Sequence, residues 1–172
     1  MKRRVGWIGA ILLGVGTAAC FPTTTRPAFL PVPAAPTFEI ELPVPQATRA
    51  LALALDADSF PVRRTEAKDG WLESEWFDVA TRRPTTRRPL GPDVVKIRAF
   101  IDPSRPNYSN ITIETVYRPL ADPSRADREL EQQVPANSVT LARIVVLTTN
   151  LIKLYNPVID SVVAPTPKVK KP

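Results

Sequence analysis

Three observations predict an α+β fold, with one small antiparallel sheet of about four to five strands covered on one face by two helices. Phe38–Leu42 and Asn110–Arg118 alternate apolar and polar residues at the strand period. Ser138–Tyr155 spaces its apolar residues at the helical period. Lys68-Asp69-Gly70 lies between two β-rich stretches, the position of a hairpin turn.

The elements follow in chain order. Phe38-Glu39-Ile40-Glu41-Leu42 is a strand, and Pro43 and Pro45 end it. Gln46–Asp56 sets Ala47, Ala50, Leu51, Ala54 and Leu55 at helical spacing among strong helix formers. Phe60–Glu66 and Trp71–Val79 form the hairpin around Gly70. Asp93–Ile101 is rich in β-formers, and Asn110–Arg118 follows a turn-rich loop. Arg118–Pro135 is a polar connector, with a helical turn or two allowed over Ala126–Gln133. The last helix carries Leu141, Ile144, Val145, Thr148, Leu151, Ile152 and Tyr155 on one stripe. Asn137 or Ser138 is its N-cap, and Pro157 stops it. The stripe serves core packing on the sheet or a partner surface.

Composition bounds the chemistry. The chain has 172 residues, no histidine and one cysteine. No His-based triad and no Cys/His zinc site can be built, and no intrachain disulfide can form. Beyond Gly16 the only glycines are Gly70 and Gly91, which excludes a P-loop and a dinucleotide fingerprint. The aspartates are scattered and match no calcium-loop spacing. No cofactor and no metal are expected.

The N-terminus has the order of a bacterial export signal. Lys2, Arg3 and Arg4 precede an uncharged run from Val5 to Gly16, and Thr17, Ala18 and Ala19 lead to Cys20. Removing the three basic residues lowers the formal charge from +6 to +3, which weakens any nucleic-acid reading. The expected division is a signal peptide over 1–19, a lipidated Cys20 with a Pro-rich tether over 20–36, an α+β domain over 37–156 and a Pro/Lys-rich tail over 157–172. The tether holds Pro22, Pro27, Pro31, Pro33 and Pro36. It and the tail are expected to be disordered, and an extended tether would hold the domain roughly 50 Å from its lipid.

Thr17-Ala18-Ala19-Cys20 resembles the lipobox of bacterial lipoproteins, in which the cysteine is acylated and becomes the first residue. Cys20, the Pro-rich 21–36 and the run from Ala47 to Trp76 together resemble the accessory lipoproteins of outer-membrane barrel assembly, the C-subunit type. That resemblance implies a lipid-anchored, compact domain of helices packed on an antiparallel sheet. It carries over no functional residue beyond Cys20.

Three constellations remain. Thr81-Arg82-Arg83-Pro84 recurs as Thr86-Arg87-Arg88-Pro89. Arg82, Arg83, Arg87 and Arg88 are either a clamp for phosphates, carboxylates or a protein partner, or a solvated loop that resists aggregation. Glu73 and Glu75 are either a carboxylate pair beside Trp71 and Trp76, as in sugar hydrolysis, or a solvated strand face. Lys168, Lys170 and Lys171 add weak attraction to an anionic surface. The expected function is non-catalytic binding by an exported, lipid-anchored protein with a structural or assembly role in a bacterial envelope complex, docking through its sheet face or an edge strand. The expected location is the periplasmic side of a membrane, the outer more than the inner, with an envelope protein as partner. The alternative is a small-ligand or lipid carrier with a cavity between helices and sheet.

Overall fold

In the computed structural model, residues 24–86 and 91–156 are described. Cys20, Arg87, Arg88 and the tail beyond Asn156 lie outside the described residues.

The strands are β1 (Thr37–Ile40), β2 (Val62–Glu66), β3 (Trp71–Ser74), β4 (Phe77–Asp78), β5 (Val94–Pro103), β6 (Ser109–Tyr117) and β7 (Gln132–Gln133). The helices are α1 (Val44–Ala57) and α2 (Val139–Tyr155). The main path of the sheet runs β1-β6-β5-β3-β2, all antiparallel, with β4 added to β5 and β7 to β6. The mixed α+β class is as the sequence predicts. The sheet has 7 strands because the two-residue β4 and β7 extend its rims.

Two local features differ from the sequence reading. The stretch Trp71–Val79 is two strands, not one. Buried Ser74 takes the place of a ladder carbonyl: its Oγ accepts from the Ile97 N–H at 2.9 Å and donates to the Glu75 carbonyl at 2.7 Å. The chain breaks there and re-forms as β4. The first helix starts at Val44, with Pro45 in its first turn, where the absent N–H costs nothing.

The hairpin turn before β3 depends on Gly70. Its φ is +62°, and a Cβ there would lie 2.0 Å from the Ile101 carbonyl oxygen. Only glycine permits the Ile101 N–H to bond the Gly70 carbonyl at 2.9 Å.

One sheet face packs against the helices. Leu72, Val95, Ile97, Ala99, Ile101, Ile111 and Ile113 meet Ala47, Leu51, Leu55, Ile144, Leu147 and Leu151 in a filled apolar core. The α1 helix lies over β2, β3 and β5, and α2 over β1.

The second face carries charge, and it is not wet. Glu73, Arg98 and Glu114 stand in one cross-strand row of β3, β5 and β6. The Arg98 guanidinium donates to Glu131 at 2.6 and 2.9 Å, to Glu114 at 3.0 Å and to Glu73 at 3.1 Å. Arg128 adds bonds to Glu114 at 2.7 and 2.9 Å. Arg98 and Glu114 are both buried.

Residues 24–36 form the roof over this face. Phe29 sits edge-on to Trp71 and Phe100 at 6.0 and 6.1 Å, with the guanidiniums of Arg98 and Arg128 at 5.4 and 4.4 Å from its ring centre. The Val32 N–H donates to Glu114 at 3.0 Å, and Arg128 donates to the Leu30 carbonyl at 2.7 Å. Arg26 pairs with Asp102 at 2.7 and 3.1 Å. The expectation of a disordered, projecting tether is corrected for residues 24–36. A proline-rich segment has little conformational freedom to lose on docking, and an aromatic ring between two guanidiniums holds it.

Burial raises the Glu131 pKa, but the hydrogen bonds and charges of Arg98 and then Arg128 outweigh it and hold the carboxyl below its ordinary 4.5. The same partnership raises the Arg98 pKa against the opposing effect of burial.

Arg98→Met leaves Glu114 and Glu131 buried with less neutralisation, and is expected to destabilise the fold by about 3–5 kcal/mol in urea titrations. The Glu131 contribution is complete above its unfolded pKa, near 4.5, and is lost as pH falls through the lower folded value. Glu131→Gln is therefore expected to flatten the fall of stability with acidification, read as the urea midpoint measured across that range.

Candidate binding groove

The helix layer is not closed. Thr140, Ile144, Leu147 and Leu151 are the buried residues of α2, while Leu141, Ile152 and Tyr155 pack at the edge of the core. Val145, assigned by its spacing to the buried stripe, is 51% exposed. A second row along α2 is apolar without being buried: Val139, Val146 and Leu154 are 67%, 61% and 66% exposed. These side chains rim a groove of about 760 Å³ between α1 and α2, with Leu147 and Leu151 at its base. Ala54 and Ala57 form the α1 wall, and Ala142 lies on the α2 side. Small side chains at these three positions leave the space that larger ones would fill. Asn137 and Asn150 supply the uncharged polar groups of the lining, and Asp58 and Arg143 the charged ones.

The end of the groove at the α1 C-terminus is ionic. Arg143 of α2 grips Asp58 with two hydrogen bonds, one from Nε at 2.9 Å and one from Nη2. The hydrogen bonds to Asp58 raise the Arg143 pKa, so it stays charged. Arg82 donates to the Asp58 main-chain carbonyl at 2.6 Å, a cation at a helix C-terminus. A smaller cleft of about 460 Å³ adjoins, lined by Phe60, Asp78, Arg82, Asp93, Thr140 and Arg143 among others.

The proposed site residues are therefore placed unequally. Arg82 turns inward to the end of α1, with φ +55°. Arg83 stands in the exposed β4–β5 loop, its carbonyl accepting from the Asp78 N–H at 3.1 Å. Arg87, Arg88 and Cys20 lie outside the described residues. The structure does not bring Arg82 and Arg83 together as an outward clamp. Glu73 is neutralised by Arg98 at 3.1 Å and Lys96 at 3.5 Å, and Glu75 pairs with Arg63 at 3.5 Å. Burial pulls the Lys96 pKa down against the opposing pull of Glu73. These contacts favour the structural role of the carboxylates over an acid/base pair. Among the described residues no cluster of metal-ligating side chains occurs, and no helix is long and apolar enough to cross a membrane.

Sequence reasoning missed the groove. Its available signal was the second apolar row Val139, Ala142, Val146, Leu154, which one helix facing one sheet does not need. The chain matches no protein-family model and none of the curated proteins.

The base and rim of the groove are expected to differ sharply in stability. Leu151→Ala, at the base, is expected to cost about 2–5 kcal/mol. Val146→Ala, on the rim, is expected to change stability by less than about 0.5 kcal/mol. Chemical denaturation of the two variants checks this.

Proposed function

We propose that the chain is an exported, lipid-anchored binding protein of a bacterial cell envelope, and that it docks an amphipathic helix of an envelope protein in the groove between α1 and α2. The observation that carries this reading is the unfilled apolar groove of about 760 Å³ above a filled core. Exposed apolar side chains gathered in one place are a recognition surface. The groove is shaped by two helices, and α2, at 17 residues, is roughly 25 Å long. A third helix laid along it would bury the Val139, Val146 and Leu154 rim by ordinary helix packing. The Arg143–Asp58 pair and the two asparagines offer polar contacts at the margin, which fix register more than they add affinity.

The groove replaces the sheet face as the docking surface, because residues 24–36 cover that face. The carrier reading asks for a cavity between helices and sheet. That space is occupied by Leu51, Leu55, Ile97, Ile144 and Leu147. A small apolar ligand would have to use the same open groove, whose volume is in the usual range for such sites.

The test is site-specific photocrosslinking in membranes of the native host, with a benzophenone side chain at Val146 or, as control, at Arg63 on β2. A discrete protein adduct from position 146, absent from position 63 and lost on Leu154→Asp, is the expected result. A lipid or small-molecule adduct at 146 transfers the groove to the carrier reading. Equal adducts at both positions, or none at 146, overturn docking in the groove.

A further inference from the structure

We infer that one pole of the domain rests on the lipid headgroups of the bilayer, and that docked residues 24–36 hold it there. The inference rests on the lipid-anchor reading of Cys20 and deepens it. Cys20 stands four residues before Thr24. Fully stretched, four residues span roughly 14 Å. Thr25 is already fixed to the domain: its N–H and hydroxyl donate to Asp69 at 2.5 and 2.7 Å. Arg26 follows on Asp102, and Phe29 on Trp71 and Phe100. The attachment point of the lipid is thus within a short reach of the β2–β3 turn.

The fold gathers several features at that pole. The β5–β6 turn lies there, because Gly70 pairs with Ile101. The start of α1 is there too, with Val44 beside Gly70. So is the end of α2, since Asn156 bonds Glu39 and Glu41 at 2.9 and 2.8 Å. Most of its carboxylates are engaged: Asp69 with Thr25, Asp102 with Arg26, Glu39 with Ser104 and Arg105 at 2.5 and 3.0 Å, and Glu66 with Arg64 at 3.0 Å, while Glu41 is exposed. Lys68 and Lys153 are exposed there. The described residues end at this same pole with Asn156, and Lys168, Lys170 and Lys171 follow in the sequence. An acyl anchor and a basic segment acting together hold a protein to an anionic surface more firmly than either alone. The opposite pole carries the start of β5 and the loop around Ala80, with Val79 bonded to Asp93 at 2.9 Å. Strand β5, with 10 residues, separates the poles by roughly 33 Å.

The experiment uses the full chain purified from membranes, with Cys20 acylation established by mass spectrometry. The chain has one cysteine, so Lys68→Cys and Ala80→Cys each give a single free thiol beside an acylated Cys20. Each is labelled with a donor dye and placed in vesicles of phosphatidylethanolamine and phosphatidylglycerol containing a headgroup-labelled acceptor lipid. Several-fold stronger donor quenching at position 68 than at 80 is expected. Adding Arg26→Ala and Phe29→Ala is expected to shrink that difference by freeing the strap. An acylated protein quenched equally at 68 and 80 overturns the seated pole and leaves the anchor intact. A chain without acyl groups on Cys20 overturns the anchor and this inference together. The comparison of the two dye positions stands even where the strap variant fails to fold.

Discussion

The burial of Arg98 is the constraint on which the second half of the structure depends. Its guanidinium lies on the face of β5 away from the helices, and only 7% of the side chain is exposed. A buried cation must be neutralised and its N–H groups satisfied. Here three separate pieces of chain do so: Glu73 from β3, Glu114 from β6 and Glu131 from the connector before α2. The connector is thereby held down on the sheet, and with it Arg128. Two guanidiniums beside Trp71 and Phe100 then leave a space that an aromatic ring can occupy with favourable charge–quadrupole and apolar contact. Phe29 occupies it. The position of the N-terminal strap is a consequence of satisfying one arginine.

The fold was legible in the sequence where its determinants are local. Alternation in Phe38–Leu42 and Asn110–Arg118, the glycine turn at Gly70 and the apolar periodicity of 138–155 each act over a few residues. What escaped acts at long range. The break after Ser74 depends on a hydroxyl that intercepts the Ile97 N–H from a neighbouring strand. Lys96, Arg98 and Glu114 alternate with apolar residues as solvated strand charges do, and nothing near them announces a cover. The cover comes from Phe29, in a segment whose prolines point to a free tether when composition alone is weighed. The groove was hidden differently. Ala54, Ala57 and Ala142 signal helix formation in sequence, while in space they signal room.

The width of the sheet explains that room. Five strands at about 4.8 Å separation make a face that two helices, packing at about 8–10 Å, cover only when each serves its own half. The α1 helix serves β2, β3 and β5, and α2 serves β1 at the far edge. The core beneath them is filled, since Leu51, Leu147 and Leu151 reach inward from both sides. Above it the helices stand apart, joined at one end by Arg143 and Asp58. The Val146 and Leu154 side chains are thus displaced from the core by geometry and not by polarity.

The two faces of the molecule are completed in different ways, and this asymmetry connects the proposed groove to the proposed membrane contact. The charged face is closed by the chain's own residues 24–36. The helix layer lacks an equivalent cover among the described residues. The strap runs along the sheet, with Thr25, Arg26, Phe29 and Val32 contacting successive points from the β2–β3 turn to the middle of β6, so its N-terminal end belongs to the β2–β3 pole. Under the proposed anchoring, α2 then runs from its C-terminus near the bilayer to its N-terminus away from it. The groove stands along the membrane normal, with Leu154 proximal and the Arg143–Asp58–Arg82 end distal. A helix rising from the same membrane would meet Leu154 first, then Val146, and last the Arg143–Asp58 pair with Val139 beside it.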